Sequence, residues 1–220
     1  MSKYKSDVWE SASVAMRAYW ESLRQGGAVP LRSDIDPRAI EGALPYAFIL
    51  ERIAPQVARF RVAGQHLTEL IGSDARGMPL TTFFLAGSRD RAAAALEQVF
   101  QGPEVAELDL RAPGGLAGFG RRTLTGRMLL LPLRSDLGDV TRALGCLVTD
   151  DMIGRAPRRF EIDNVVVTPV IAGRPARTSA PERVALRLVQ GFAPAARPAP
   201  ATNRAPAPHL RLVMPELSVS

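Results

Sequence analysis

Residues 47–72 read AFILERIAPQVARFRVAGQHLTELIG, and this stretch decides the fold. AFILERI (47–53) is an apolar run of strand length. VARFRVAG (57–64) alternates, with Ala58, Phe60 and Val62 on one face and Arg59 and Arg61 on the other. Ala54-Pro55-Gln56 between them predicts a hairpin turn. The period then changes. GQHLTELIG (64–72) places Leu67, Leu70 and Ile71 along one side of a helix.

Working downstream, Ser73 to Pro79 is a break and TTFF (81–84) a short aromatic element. Ser88 is positioned to N-cap a helix over RDRAAAALEQVFQG (89–102), with Arg91 where a capping box would carry an acid. Three strand patterns follow: EVAELDLRA (104–112), RRTLTGRMLLLPLRS (121–135) and TRALGCLVTD (141–150). The loop PGGLAGFG separates the first two. Two strands, then helices, then three strands predict an α+β fold on an antiparallel sheet. RRFEIDNVVVTPV (158–170) reads as an extra strand or packing arm.

Upstream, Val8, Trp9, Ala12, Met16, Tyr19, Trp20 and Leu23 recur at helical spacing, and Gly26-Gly27 stop the helix. An amphipathic face this rich in aromatics has to bury against its own domain or against the same helix of a second chain. Trp9, Met16, Tyr19, Trp20 and Leu23 are therefore the candidate dimer or docking residues. After Pro30 an extended linker leads to Asp36-Pro37, which opens a short helix that Pro45 ends.

The organisation expected is an N-terminal helix (1–27), a central domain (28–155), the extra strand or arm (156–172) and a Pro/Ala/Arg-rich tail (173–220). The tail composition cannot bury enough apolar surface to offset chain entropy, so disorder is expected there. Within it, SAPERVALRLVQGF (179–192) has the pattern of a helix formed on a partner, and HLRLVMPEL (209–217) that of a docking peptide. The net charge of +6 is concentrated in the same region. Seven Arg against Glu182 and Glu216 give the segment from Ile171 onward +5, which leaves the body at +1. A nucleic-acid footprint across the body is not indicated. No apolar run has the roughly 18 residues of a membrane span, the N-terminus lacks a signal-peptide apolar region, and a cytoplasmic location is expected.

The phrases YWESLR (19–24), Pro30-Leu31-Arg32-Ser33-Asp34-Ile35-Asp36-Pro37 and FRVAG (60–64), with the spacing Gly64, Gly72, Arg76, Gly77, resemble a PAS family widespread in alphaproteobacteria. The similarity covers roughly residues 15–170. Family members commonly carry Thr where Gln65 stands here. The resemblance implies a five-stranded antiparallel sheet with flanking helices and a cavity between them. It also implies signalling through protein contact or dimerisation, and no defined reaction or single cofactor. The alternative is a peripheral membrane or nucleic-acid adaptor acting through the basic tail, which is dilute in charge and ranks lower.

Candidate ligand-facing residues are Phe60, Val62, His66, Leu70, Arg76, Met78, Phe84 and Leu110. Arg76 would hold an anionic ligand group if it pointed inward. Its other reading is an exposed loop arginine. His66 and His209 are the only histidines, too few for an ordinary metal centre. His66 reads first as a surface or capping residue, with haem ligation the alternative. Cys146, the single cysteine, reads as a small buried hydrophobe. Gly118-x-Gly120 lacks the helix and lysine of a phosphate cradle. No hydrolase elbow, zinc-protease motif or carboxylate pair is visible, so no catalytic residue is assigned and a non-enzymatic role is expected.

Overall fold

The computed structural model describes residues 3–114, 122–150 and 152–171, with the side chains of residues 3–10 left aside. These residues belong to one compact unit, Met1–Ser179. The expected tail, with its helix at 179–192 and its docking peptide at 209–217, lies outside the described residues, as does most of the PGGLAGFG loop.

Among the described residues the chain forms α1 (Lys3–Ser22), β1 (Ala47–Ala54), β2 (Val57–Ala63), α2 (Gln65–Ile71), α3 (Arg89–Gln101), β3 (Glu104–Ala112), β4 (Leu124–Arg134), β5 (Val140–Thr149) and β6 (Glu161–Pro169). The strands make one antiparallel sheet in the order β2-β1-β5-β4-β3-β6. The sheet thus has six strands where five were expected. The sixth is the segment read as an extra strand or arm, paired along β3.

The linker before β1 is more ordered than its extended reading. A 3-10 turn spans Arg32–Asp34, and 3-10 helix spans Pro37–Tyr46. Asp36 caps the latter by accepting a bond from Arg38 N at 3.0 Å.

The middle of the sheet is buried on both faces. On one, α2, α3 and the 3-10 turns cover a core containing Phe48, Phe60, Phe83, Phe84, Leu96 and Leu130. Phe48 meets Phe60 edge-on at 5.3 Å, and Phe60 meets Phe83 at 5.2 Å. On the other face, Ala12, Met16 and Trp20 of α1 pack on Ile49, Leu131, Leu133, Leu144 and Cys146. Trp20 is completely buried, and its indole N–H donates to Pro132 O at 2.8 Å. Pro132 lies past the end of the β3 pairing, which stops at Leu130, so its missing N–H breaks no ladder bond.

The phrase at 19–24 is consumed by this docking. Tyr19 OH accepts from Asp36 N at 2.6 Å and donates to Asp34 O at 3.2 Å. Arg24 bonds Glu21 at 2.8 Å and Gly27 O at 2.7 Å, and its guanidinium lies 5.2 Å over the Trp20 ring. The two phrases at 19–24 and 30–37 are thus halves of one clamp between α1 and the entry to the sheet. This corrects the docking assignment for Met16 and Trp20: they are spent inside their own domain. Tyr19 and Leu23 pack at the margin of the same core. The side chain of Trp9 lies outside the described residues.

Candidate functional site

The candidate site is the space between the sheet and α2–α3. Phe60, Leu70, Phe84 and Leu110 do converge there, each at most 2% exposed, and half-buried Met78 packs against them. Leu70 arrives on α2, which Gly72 closes at φ 82°, a left-handed cap that favours glycine. Met78 arrives on the segment that edges β2: Phe60 N donates to Met78 O at 3.0 Å and Gly77 N to Phe60 O at 2.8 Å. These residues are buried against one another in the helix-side core.

Val62 is not among them. It is 46% exposed and lies on the opposite face of the sheet. The strict alternation read from VARFRVAG fails because Ile49 pairs with Val62 while Leu50 pairs with Phe60, leaving Arg61 as a bulge. One extra residue shifts the phase of every later side chain. Ala63, instead of Val62, then packs on the helix-side core. Arg61 and Arg142 both pair with Glu51 on the outer face.

Arg76 is also misplaced by an inward reading. Its side chain is exposed and forks onto Asp74, with bonds of 2.9 and 2.6 Å to the same carboxylate oxygen. The Arg76 guanidinium holds the Asp74 carboxyl below its ordinary range.

His66 sits at the rim. Its Nε2 is 3.1 Å from Thr149 Oγ1, and its ring meets Tyr46 edge-on at 5.1 Å. Burial lowers the imidazole pKa below the ordinary 6.5, with the Glu69 carboxylate opposing the shift. Gln65, where the family commonly has Thr, bonds Glu69 at 2.7 Å along the same helix. Cys146 is fully buried in β5, and desolvation pushes its thiol up to about 12, which makes it unreactive near neutral pH.

The fold buries two polar groups, Ser88 and Arg158, whose partners the sequence does not reveal. Ser88 starts α3 as expected, yet its hydroxyl serves another element, accepting from Ile162 N at 3.1 Å. Arg158 is 3% exposed and donates to Arg122 O at 2.7 Å. Nothing local in RRFEID marks an arginine for burial. Arg158 lines a cavity of about 300 Å³ with Leu85, Ala112, Pro157 and Arg159. A second, open cleft of about 570 Å³ lies at the C-terminal end of α3, against Gln56, Glu97 and Glu104. Neither is lined by the eight candidate residues. Among the described residues no cluster of three or more His, Cys, Asp or Glu could hold a metal ion, and no helix is long and apolar enough to cross a membrane.

A family model for the PAS domain matches residues 8–148, from α1 through β5. This chain belongs to the PAS domain family. The match accounts for the first five strands and leaves β6 outside it. No curated protein matches the sequence. PAS domains are in general sensory or regulatory modules, which is the coarse function the family assigns.

Proposed function

We propose that this PAS domain is a non-catalytic regulatory module that works through protein contact, with itself or with a partner, and without an obligatory small-molecule ligand. The observation that carries this reading is the fully buried aromatic cluster of the helix-side core. Phe48, Phe60, Phe83 and Phe84 lie between sheet and helices, none of them exposed, and they line neither the Arg158 cavity nor the cleft at the end of α3. A ligand there would have to displace side chains packed at the density of a protein core. The chemistry of the domain supports contact more than catalysis: the one thiol is inert, and the one half-buried imidazole faces a threonine and a tyrosine.

Native mass spectrometry and an absorption spectrum of the purified full chain test this directly. The expected result is an apo mass, or a multiple of it, with no visible absorbance. A small molecule retained at one per chain would overturn the proposal and return the helix-side interior to the status of a pocket.

A further inference from the structure

β6 covers the edge that β3 would otherwise expose, and in doing so becomes the new edge itself. Its first half is sealed. Phe160 N donates to Phe83 O at 2.8 Å, and Leu85 N donates to Phe160 O at 2.9 Å. Ile162 N bonds Ser88 Oγ at 3.1 Å, and Arg91 Nη1 donates to Ile162 O at 2.6 Å. The backbone groups that Phe160 and Ile162 turn away from β3 are therefore satisfied by the α3 side of the domain. A bulge at Asp163 follows, where the register steps from Leu110–Ile162 to Asp109–Asn164.

Among the described residues the second half is open. Val170 N points back to Pro103 O at 3.0 Å. Antiparallel strands alternate inward and outward backbone groups, so counting back from Val170 turns Val167 and Val165 outward. Among the described residues their outward N–H and C=O groups meet no partner. Native sheets blunt such edges with charge, proline or bulges. Here Asn164-Val165-Val166-Val167-Thr168 carries no charge, and Pro169 stands only at its end.

We propose that this edge pairs with the same edge of a second copy of the chain, joining two sheets antiparallel about a two-fold axis at Val166. The argument for a second copy is that the segment complements itself. Exchanging both backbone bonds between Val165 and the partner's Val167 sets Val166 opposite the partner's Val166 and Asn164 opposite the partner's Thr168. Asp163 then faces the partner's Pro169, so no like charges oppose each other. The Asp163 and Glu161 carboxylates are already paired with Arg111 at 3.2 and 2.8 Å. A single strand pair buries little area, so the dimer is weak and concentration-dependent. This inference rests on the regulatory-module reading and names one surface for the protein contacts proposed there.

The full chain carrying Val166→Cys tests it. Val166 is 51% exposed, and facing residues of a non-hydrogen-bonded pair bring their Cβ atoms within disulfide reach. Mild oxidation is expected to give a cross-linked dimer, and Val62→Cys, on the opposite edge strand and 46% exposed, is expected not to. Buried Cys146 does not compete. In sedimentation of the full chain from about 1 μM to about 1 mM, Val166→Lys should weaken association at least tenfold with an unchanged melting temperature. Val167→Pro removes an outward N–H and should weaken association likewise, with a lowered melting temperature from the lost packing of Val167 on the helix-side core. A monomer throughout that range, or cross-linking at Val62 as fast as at Val166, overturns the pairing. Capture of a different partner by such a monomer would leave the regulatory-module reading standing and still sink this one.

Discussion

The two faces of the sheet are buried by different means. The helix-side face is closed by rings and aliphatic chains that interlock without a polar bond in the middle: Phe48 on Phe60, Phe60 on Phe83, with Leu96 and Leu130 around them. The outer face is closed by α1 together with Ile35 and the 3-10 residues Ile40 and Ala43, and the position of α1 is keyed by polar bonds. These are Trp20 to Pro132 O, Tyr19 to both Asp34 and Asp36, and Arg17 to Glu107. Beyond the reach of the described side chains of α1, that face turns into ion pairs in the open, Arg127 with Asp109 and Arg111 with Glu161. Apolar packing tolerates several arrangements of similar volume, whereas directional bonds select one. On this argument the helix side supplies most of the stability and the α1 side fixes a single geometry.

Removing the largest side chain from each face is the most severe way to break the comparison. Phe60→Ala and Trp20→Ala should each cost about 3–5 kcal/mol, read from urea unfolding. The two should differ in kind. Phe60→Ala lowers the stability of the whole unit in one transition. Trp20→Ala also frees α1, so amide exchange over residues 12–23 should rise before the sheet unfolds. Equal exchange in the two variants would mean that α1 is held by no more than its share of the common core.

Gly145→Ala comes next. Gly145 faces Phe48 across the β1–β5 pair, and an added Cβ would sit 2.4 Å from the Phe48 ring and 2.7 Å from Leu129 O. One contact is a packed ring and the other is backbone, so neither yields cheaply. Overpacking of this kind should cost about 1–3 kcal/mol. Gly87→Ala is the control: a Cβ added there meets nothing within 4 Å, so the melting temperature should stay nearly unchanged.

Trp20→Phe separates bonding from packing on the outer face. It keeps most of the ring and leaves Pro132 O without its donor, so about 1–2 kcal/mol should be lost. A larger loss would show that the two faces differ in packing tolerance rather than in directional bonding.

How much of this was legible in the sequence follows the same divide. Periodicity found the strands, α2, α3 and the buried set Phe60, Leu70, Phe84 and Leu110, because apolar burial writes itself into spacing. It misplaced Val62, because a bulge at Arg61 leaves no local mark in VARFRVAG yet moves every later residue to the other face. It found the aromatic stripe on α1 and could not say which surface received it, since the acceptor of the Trp20 bond lies 112 residues away. Arg76 carries two readings in the sequence, and the ion pair with Asp74, two residues off, decides between them. β6 reads only as an extra strand or arm because its pairing partner β3 is chosen by tertiary contact, not by its own pattern.

His66 gives the smallest effect, at the rim where the helix-side core meets solvent. Its folded pKa lies below the ordinary 6.5, chiefly because burial penalises the imidazolium, so the unfolded chain takes up a proton first as pH falls. The neutral ring contributes its full stability above the unfolded pKa. That contribution is lost as pH drops from about 7 through about 6.5 and levels off below the folded value. The melting temperature of the native chain should therefore decline over that window, and His66→Gln should flatten the decline while the carboxylate-linked fall at lower pH persists. Thr149→Val, which removes the hydroxyl facing Nε2, should shift the window without abolishing it, because burial rather than that bond is the larger cause. A profile in which Thr149→Val alone flattens the slope would make the hydrogen bond the controlling term and turn the rim of the helix side into a polar lock of the kind that the α1 side uses.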